Sequence, residues 1–188
     1  MLRVGAGQFK GLTIHAPANL RPTEAKVRLA MFNILGEAVV GARVLDAFAG
    51  SGALGIEALS RGAAFVAFIE SDTQAVLAIR DNLERLGPDL PRQAWRVAHL
   101  EAVRGIEQLA TVETPFDIAI CDPPYRTDDA RKALNALVDC AMLAPSGIVI
   151  IEHDHRTILP ETVGHLRQGK RHRYGGTVLS LYMGHPSA

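Results

Sequence analysis

Little in this chain of 188 residues could staple, anchor or export it. Only two cysteines occur, Cys121 and Cys140, too few for a disulfide framework and without the C-x-x-C spacing of a metal site. That usage fits a reducing compartment, and a cytoplasmic location is expected. No stretch approaches the roughly 18 uncharged apolar residues that a membrane-spanning helix needs. The opening residues lack the charged segment and apolar core of a secretory signal, so neither membrane insertion nor secretion is expected. Aromatic residues make up 5%, and the single tryptophan, Trp95, reads as core at a strand position rather than as a base-stacking platform. The formal net charge is +0, so any surface for a polyanion must be local.

What is present is ordinary for a soluble globular chain: 48% hydrophobic and 21% charged residues. A compact domain of this length buries about 70% of its unfolded surface, which needs no metal or disulfide staple. Charge is segregated along the chain. Residues 1–43 carry +4, residues 162–188 carry +4 with no acid, and the stretch between carries −8. Both ends being basic suggests a polyanion footprint, against the plainer reading of scattered solvated Lys and Arg.

From residue 43 onward short apolar runs alternate with helical spacing. Strands are predicted at 43–48, 65–70, 94–98, 116–122 and 147–152, and helices at 53–60, 73–86, 100–109 and 128–142. That alternation describes repeated βαβ units and a parallel sheet covered on both faces. Gly62 and Gly87-Pro88 end the first two helices, Thr114-Pro115 precedes the fourth strand, and Pro145-Ser146-Gly147 reads as the turn into the fifth. Towards the C-terminus, 171–174 and 177–183 flank Gly175-Gly176 as an antiparallel pair expected at the sheet edge. Gly5, Gly7 and Gly11 punctuate a small basic hairpin at the start, followed by a helix over 24–35 capped by Thr23.

Two segments carry the chemistry. In Leu45-Asp46-Ala47-Phe48-Ala49-Gly50-Ser51-Gly52-Ala53-Leu54-Gly55, glycines close a strand and open a helix, so the backbone can turn sharply against a ligand. Gly50, Gly52 and Gly55 also satisfy G-x-G-x-x-G, which keeps a nicotinamide dinucleotide oxidoreductase as a rival reading. Asp46 weighs against it: at the strand end a carboxylate would repel a pyrophosphate but accept from the amino group of S-adenosylmethionine. Glu70 ends the second strand, from which an acid reaches a ribose hydroxyl in either kind of site. Glu101 is placed after the third strand, near an adenine amine or simply as a first-turn helix acid.

The second segment, Asp122-Pro123-Pro124-Tyr125, follows a buried strand at the carboxyl edge of the sheet. A nucleobase amine is a poor nucleophile because its lone pair is delocalised into the ring. Asp122 and the Pro123 carbonyl can accept from that amine and orient it, the two prolines stiffen the loop, and Tyr125 offers a face for stacking. Asp122 orients first and accepts a proton second. Other features carry less. His153 and His155 lack a third ligand for a metal, Ser51 sits in no G-x-S-x-G elbow, and Cys121 reads as a small buried hydrophobe.

The chain resembles, along nearly its whole length, the bacterial small-subunit (16S) ribosomal RNA guanine-N2 methyltransferases of the RsmD type. The segments that carry this are the basic opening from Arg3 to Gly11, Leu20-Arg21-Pro22-Thr23 with Arg28 and Phe32-Asn33, the glycine turn continuing through Glu57-Ala58-Leu59-Ser60-Arg61-Gly62-Ala63, Ile69-Glu70, Asp122-Pro123-Pro124-Tyr125, and Tyr174-Gly175 with Thr177. Glu101-Ala102 departs from the family, which usually has Asp or Asn before that Ala.

The resemblance implies an α/β class I methyltransferase fold, Rossmann-like, with a seven-stranded, mostly parallel sheet whose last strand is antiparallel, plus a small N-terminal β-hairpin extension. It implies residues 1–42 as an RNA-binding hairpin and helix, and 43–188 as the methyltransferase domain. S-Adenosylmethionine is the expected cofactor, held by Asp46, Phe48, Ala49, Gly50, Ser51, Gly52, Gly55, Glu70, Ser71, Glu101 and Asp122, with Asp122, Pro123, Pro124 and Tyr125 at the chemistry. The expected acceptor is a guanine N2 amine of ribosomal RNA in an assembled or partly assembled small subunit, met by a monomer through Arg3, Lys10, Arg21, Thr23, Arg28 and Arg126. No metal is expected. Nothing in the residues themselves separates guanine from adenine, so the same chemistry on a DNA amine or a protein glutamine, and a noncatalytic RNA-binding role, stay open.

Overall fold

The computed structural model describes residues 2–18, 25–125 and 127–184. The opening glycine-punctuated segment forms β1 (Leu2–Arg3) and β2 (Thr13–Ile14), paired antiparallel as a hairpin. Helix α1 (Ala25–Leu35) follows; its expected Thr23 cap lies outside the described residues. The βα alternation then runs β3 (Arg43–Asp46), α2 (Ala53–Ser60), β4 (Phe65–Glu70), α3 (Thr73–Arg85), β5 (Trp95–His99), α4 (Ala102–Leu109), β6 (Phe116–Cys121), α5 (Asp129–Asp139) and β7 (Leu143–Asp154). Three strands close the chain: β8 (Thr162–Val163), β9 (Leu166–Tyr174) and β10 (Thr177–Gly184).

These strands make one sheet in the order β5-β4-β3-β6-β7-β10-β9-β8. Strands β3 to β7 pair in parallel and β10 runs antiparallel to both neighbours, β7 and β9. This is the class I methyltransferase arrangement that the resemblance implies, with β8 as an additional two-residue edge strand paired to β9. The antiparallel pair is therefore not wholly at the edge, because β10, buried at Val178, Leu179, Ser180 and Tyr182, is inserted inside the sheet. Side chains alternate between two cores. Val44, Phe68 and Ile120 face a layer built with the hairpin, α1, α2 and α3, whereas Leu45, Ile69 and Cys121 face α4 and α5.

The expected turn at Pro145-Ser146-Gly147 is instead part of β7. Pairing with β6 moves from Phe116↔Leu143 to Ile118↔Ile148, so the extra residues are taken up as a bulge within a continuous strand. Helix α4 starts two residues later than its spacing suggests, because the Leu100 N–H bonds the Glu70 carbonyl and Glu101 is extended. Helix α5 ends early at Asp139, where Ala141 turns to φ 51° and the Met142 N–H bonds back to the Leu137 carbonyl. Strand order reverses direction between β3 and β6, and in open α/β sheets the crevice beyond the carboxyl ends at that point is where ligands bind.

Candidate active site

A cavity of about 430 Å³ opens at that reversal, within the size range of cofactor pockets. Each strand that ends there contributes. Phe48, Ala49, Gly50 and Ser51 come from the turn after β3, Glu70 and Ser71 from β4, and Glu101 from the start of α4. Asp122, Pro123, Pro124 and Tyr125 come from the loop after β6. Residues expected from widely separated motifs thus line one cavity.

The turn after β3 is held by carboxylates. Gly50 and Gly52 lie at φ 53° and 79°, the left-handed region that the sharp strand-to-helix connection requires. Glu70 accepts from the Gly50 N–H at 2.7 Å with one oxygen and from the Asp72 N–H at 2.8 Å with the other, and so fixes the turn while lining the cavity. Asp72 in turn caps α3 by accepting from the Ala75 N–H at 2.8 Å. The His99 ring lies 3.0 Å from the Ser71 carbonyl, tying the end of β5 to this rim.

Three residues expected at the cofactor sit elsewhere. Asp46 is fully buried and does not line the cavity; its Oδ2 accepts from the Gly55 N–H at 2.9 Å. The reason is local: the first N–H groups of α2 have no partner inside the helix and lie beside the end of β3. Burial, above all, raises the Asp46 pKa to about 7, with Asp122 and Glu70 adding to the rise and the Gly55 hydrogen bond opposing it. Gly55 is a packing residue, since a Cβ there would stand 2.2 Å from the Phe68 ring, so only glycine lets α2 lie this close to β4. Gly52 shapes the turn through its N–H to the Ala49 carbonyl at 2.7 Å and is likewise absent from the cavity wall.

On the opposite side Tyr125 is not a free platform. Its hydroxyl donates to Glu152 Oε1 at 2.9 Å and lies 2.7 Å from Thr177 Oγ1. Burial is the main cause of its pKa being pushed up to about 12, so it stays a donor at neutral pH. Glu152, Thr177, Asp129, Ala53 and Leu54 complete the lining and were not among the expected site residues. Glu152 closes the apolar run of β7, with no recognisable motif to signal it. Burial pushes the Cys121 thiol up, as suits a small core residue. His153 contacts the Ser180 hydroxyl at 2.8 Å and His155 the Gly176 carbonyl at 3.2 Å, and no metal-binding cluster of three side chains occurs among the described residues.

The residues expected to meet RNA divide sharply. Arg3 and Lys10 are exposed on the hairpin. Arg21, Thr23 and Arg126 lie outside the described residues. Arg28 is buried and unavailable: its Nη2 donates to the Arg3 carbonyl at 2.6 Å and its Nε lies 3.8 Å from Glu57. Glu57, itself buried, also pairs with Arg61 at 2.8 Å and accepts from the Gly5 and Ala6 N–H groups. An arginine on an amphipathic helix reads as surface until its carboxylate partner arrives from a distant segment. Here the pair bolts the hairpin to α2.

Comparison with known proteins agrees with this architecture. A family model described as "Conserved hypothetical protein 95" matches residues 2–183. The chain belongs to that family. Among curated relatives, YlbH of Bacillus subtilis (strain 168), provisionally named an rRNA methyltransferase, is 38% identical over 183 residues, 96% of this chain and 98% of that protein. Ribosomal RNA small subunit methyltransferase D of Escherichia coli (strain K12) is 36% identical over 85% of this chain and 78% of its own length. The solved structure of yhhF from Escherichia coli, provisionally named a methyltransferase, superposes with a TM-score of 0.85 at 34% identity, covering 98% of each chain. The resemblance to the RsmD type is thereby borne out, and with it the class I fold. No helix among the described residues is long and apolar enough to cross a membrane.

Proposed function

We propose that this protein is an S-adenosylmethionine-dependent methyltransferase acting on ribosomal RNA, and that its acceptor is the exocyclic N2 amine of a guanine in the small subunit. The observation that carries the reading is the convergence of the glycine turn, Glu70 and the Asp122-Pro123-Pro124-Tyr125 loop on one cavity. The relatives' names point to the same substrate class.

The residues fit this cofactor. A Cβ on Gly50 would meet nothing within 4 Å, so a ligand can come against the turn's backbone. Glu70 offers acceptor oxygens to ribose hydroxyls, and Glu101 stands at the start of α4 for the base. When bound, the cofactor supplies an electrophilic methyl carbon on a cationic sulfur. The cavity also disfavours the dinucleotide reading: Glu70, Glu101, Asp122, Asp129 and Glu152 line it, and no basic side chain does among the described residues, so a pyrophosphate would find no cationic side chain to offset these carboxylates.

Asp122 and the Pro123 carbonyl accept the hydrogens of the incoming amine and turn its lone pair towards the donor. As the amine becomes cationic, Asp122 stabilises the charge and is placed to take the released proton. Tyr125, restrained by Glu152 and Thr177, keeps the loop in one position while the base is held. A guanine must leave its RNA stack to arrive here, which requires the flanking phosphates to be gripped outside.

Mass spectrometry of ribosomal RNA from a deletion strain tests the proposal directly. The expected result is loss of one N2-methylguanosine from small-subunit RNA. An unchanged RNA profile, together with lost methylation of DNA or of a protein glutamine, would defeat it.

A further inference from the structure

The sequence motifs leave guanine and adenine equivalent, because either amine can meet Asp122. The structure supplies a second carboxyl group on the acceptor side. Strands β6 and β7 are parallel neighbours with Cys121 paired to Ile151, so Asp122, the first residue past β6, follows that pair on one side and Glu152, within β7, follows it on the other, which puts their backbones at roughly the 4.8 Å strand spacing. Both line the cavity, and Glu152 is only 5% exposed. The Tyr125 hydroxyl donates to Glu152 Oε1 and steadies that side chain from the loop.

We infer that Glu152 selects guanine by accepting its N1–H while Asp122 accepts from the N2 amine. This rests on the proposed methyl transfer to a nucleobase amine. Guanine carries two adjacent donors on one edge, N1–H and N2–H, and two neighbouring carboxylates match both. Adenine presents an unprotonated N1, an acceptor, beside its amine. Its lone pair would face the Glu152 carboxylate with no proton between them, and a buried acceptor facing an acceptor costs more than a missing hydrogen bond. A carboxylate accepts several hydrogen bonds at once, so the Tyr125 contact and the N1–H contact are compatible. Thr177, beside the same hydroxyl, holds Tyr125 rather than reading the base.

The test compares guanosine with 2-aminopurine riboside, which keeps the N2 amine but lacks N1–H. Each nucleoside's affinity is measured by equilibrium dialysis against the intact protein saturated with S-adenosylhomocysteine, so the readout needs no turnover. Wild-type protein is expected to prefer guanosine by about 10-fold or more, the range of one charge-assisted hydrogen bond. Glu152→Gln keeps an acceptor for Tyr125 but can turn its amide to donate to a bare N1, so the preference should fall close to parity. Tyr125→Phe, which loses only the restraint, should weaken both nucleosides alike and leave the ratio intact. Equal affinities in wild type, including no binding of either, overturn the inference, as does a ratio that Glu152→Gln leaves unchanged. Methyl transfer by wild-type protein to small subunits is scored separately: its absence would sink the proposed reaction, whereas normal transfer with no nucleoside preference would sink only the role of Glu152.

Discussion

Where the cavity presents Glu70, Glu101, Asp122, Asp129 and Glu152, the hairpin and β9 present Arg3, Lys10, Arg167, Lys170, Arg171 and Arg173 to solvent. The formal charge of the chain, +0, conceals both regions. Their separation sorts what each can touch. An acidic, partly enclosed pocket admits a cation and the donor edge of a base but repels phosphate, while exposed cationic side chains attract phosphate and release its counterions. A base can then be drawn inward while its backbone stays outside.

The two regions also use their carboxylates differently. Around the hairpin, Glu57 is spent on structure, with Arg28, Arg61 and two backbone N–H groups sharing one buried side chain. Glu57→Ala removes that hub and leaves Arg28 buried without its counter-ion. The expected cost is about 3–5 kcal/mol, the range for breaking a buried pair, read as a fall in the urea midpoint. RNA affinity should fall with it, because Arg3 and Lys10 ride on the released hairpin. In the cavity, Asp122→Ala should leave stability and RNA affinity nearly unchanged and reduce methyl transfer to small subunits by about 10²–10³-fold. If Asp122→Ala instead abolished RNA binding, the division between a gripping surface and a reacting pocket would be broken.

Much of this was legible in the residues, and the remainder failed for identifiable reasons. Strand β4 and helix α2 match their predicted bounds, because a Val/Ile/Phe run closed by Glu70 and a helix stopped by Gly62 are strong local signals. The cavity was legible because sheet topology brings strand ends together whatever the loops contain. The orientation of Asp46 was not legible because sequence shows that an acid ends a strand, not which way it turns; here it turns to the N–H of Gly55 at the start of α2. Arg28 was misread for the complementary reason, its partner Glu57 coming from another element. Glu152 was not legible as a site residue because it closes the apolar run of β7 without a recognisable motif, and its place in the cavity follows only from β7 lying beside β6. The bulge in β7 was hidden by a Pro-Ser-Gly triplet, which ordinarily marks a turn.

Asp46 sharpens the comparison through pH. Its folded pKa, about 7, lies above the ordinary carboxylate value of 3.8, so between those pH values the native state binds more protons than the unfolded chain. Stability should therefore decline as pH rises from about 4 to 7, with a slope approaching about 1.4 kcal/mol per unit from this group, and level off above. Asp46→Asn keeps an oxygen for the Gly55 N–H and removes the titration. Urea melts of the two proteins should converge at low pH, with the variant gaining relative to wild type up to pH 7. Parallel curves would show that the buried carboxylate stays ionised throughout.

The smallest effect belongs to the exposed cations. Arg3 and Lys10 are exposed, and the Arg3 guanidinium also donates to the Gly11 carbonyl within the hairpin, so replacing both with alanine should leave the core and S-adenosylmethionine affinity unchanged. Each phosphate that is no longer neutralised should lower the slope of log affinity against log salt by about 0.7–0.9, which for two phosphates is a measurable flattening in filter binding to small-subunit RNA. KM for the subunit should rise while kcat holds, since these groups act before the base enters the cavity. Lys170→Ala on β9 provides the control for geometry: an equal flattening would place both basic ends on one RNA path, whereas no change would assign the grip to the hairpin alone.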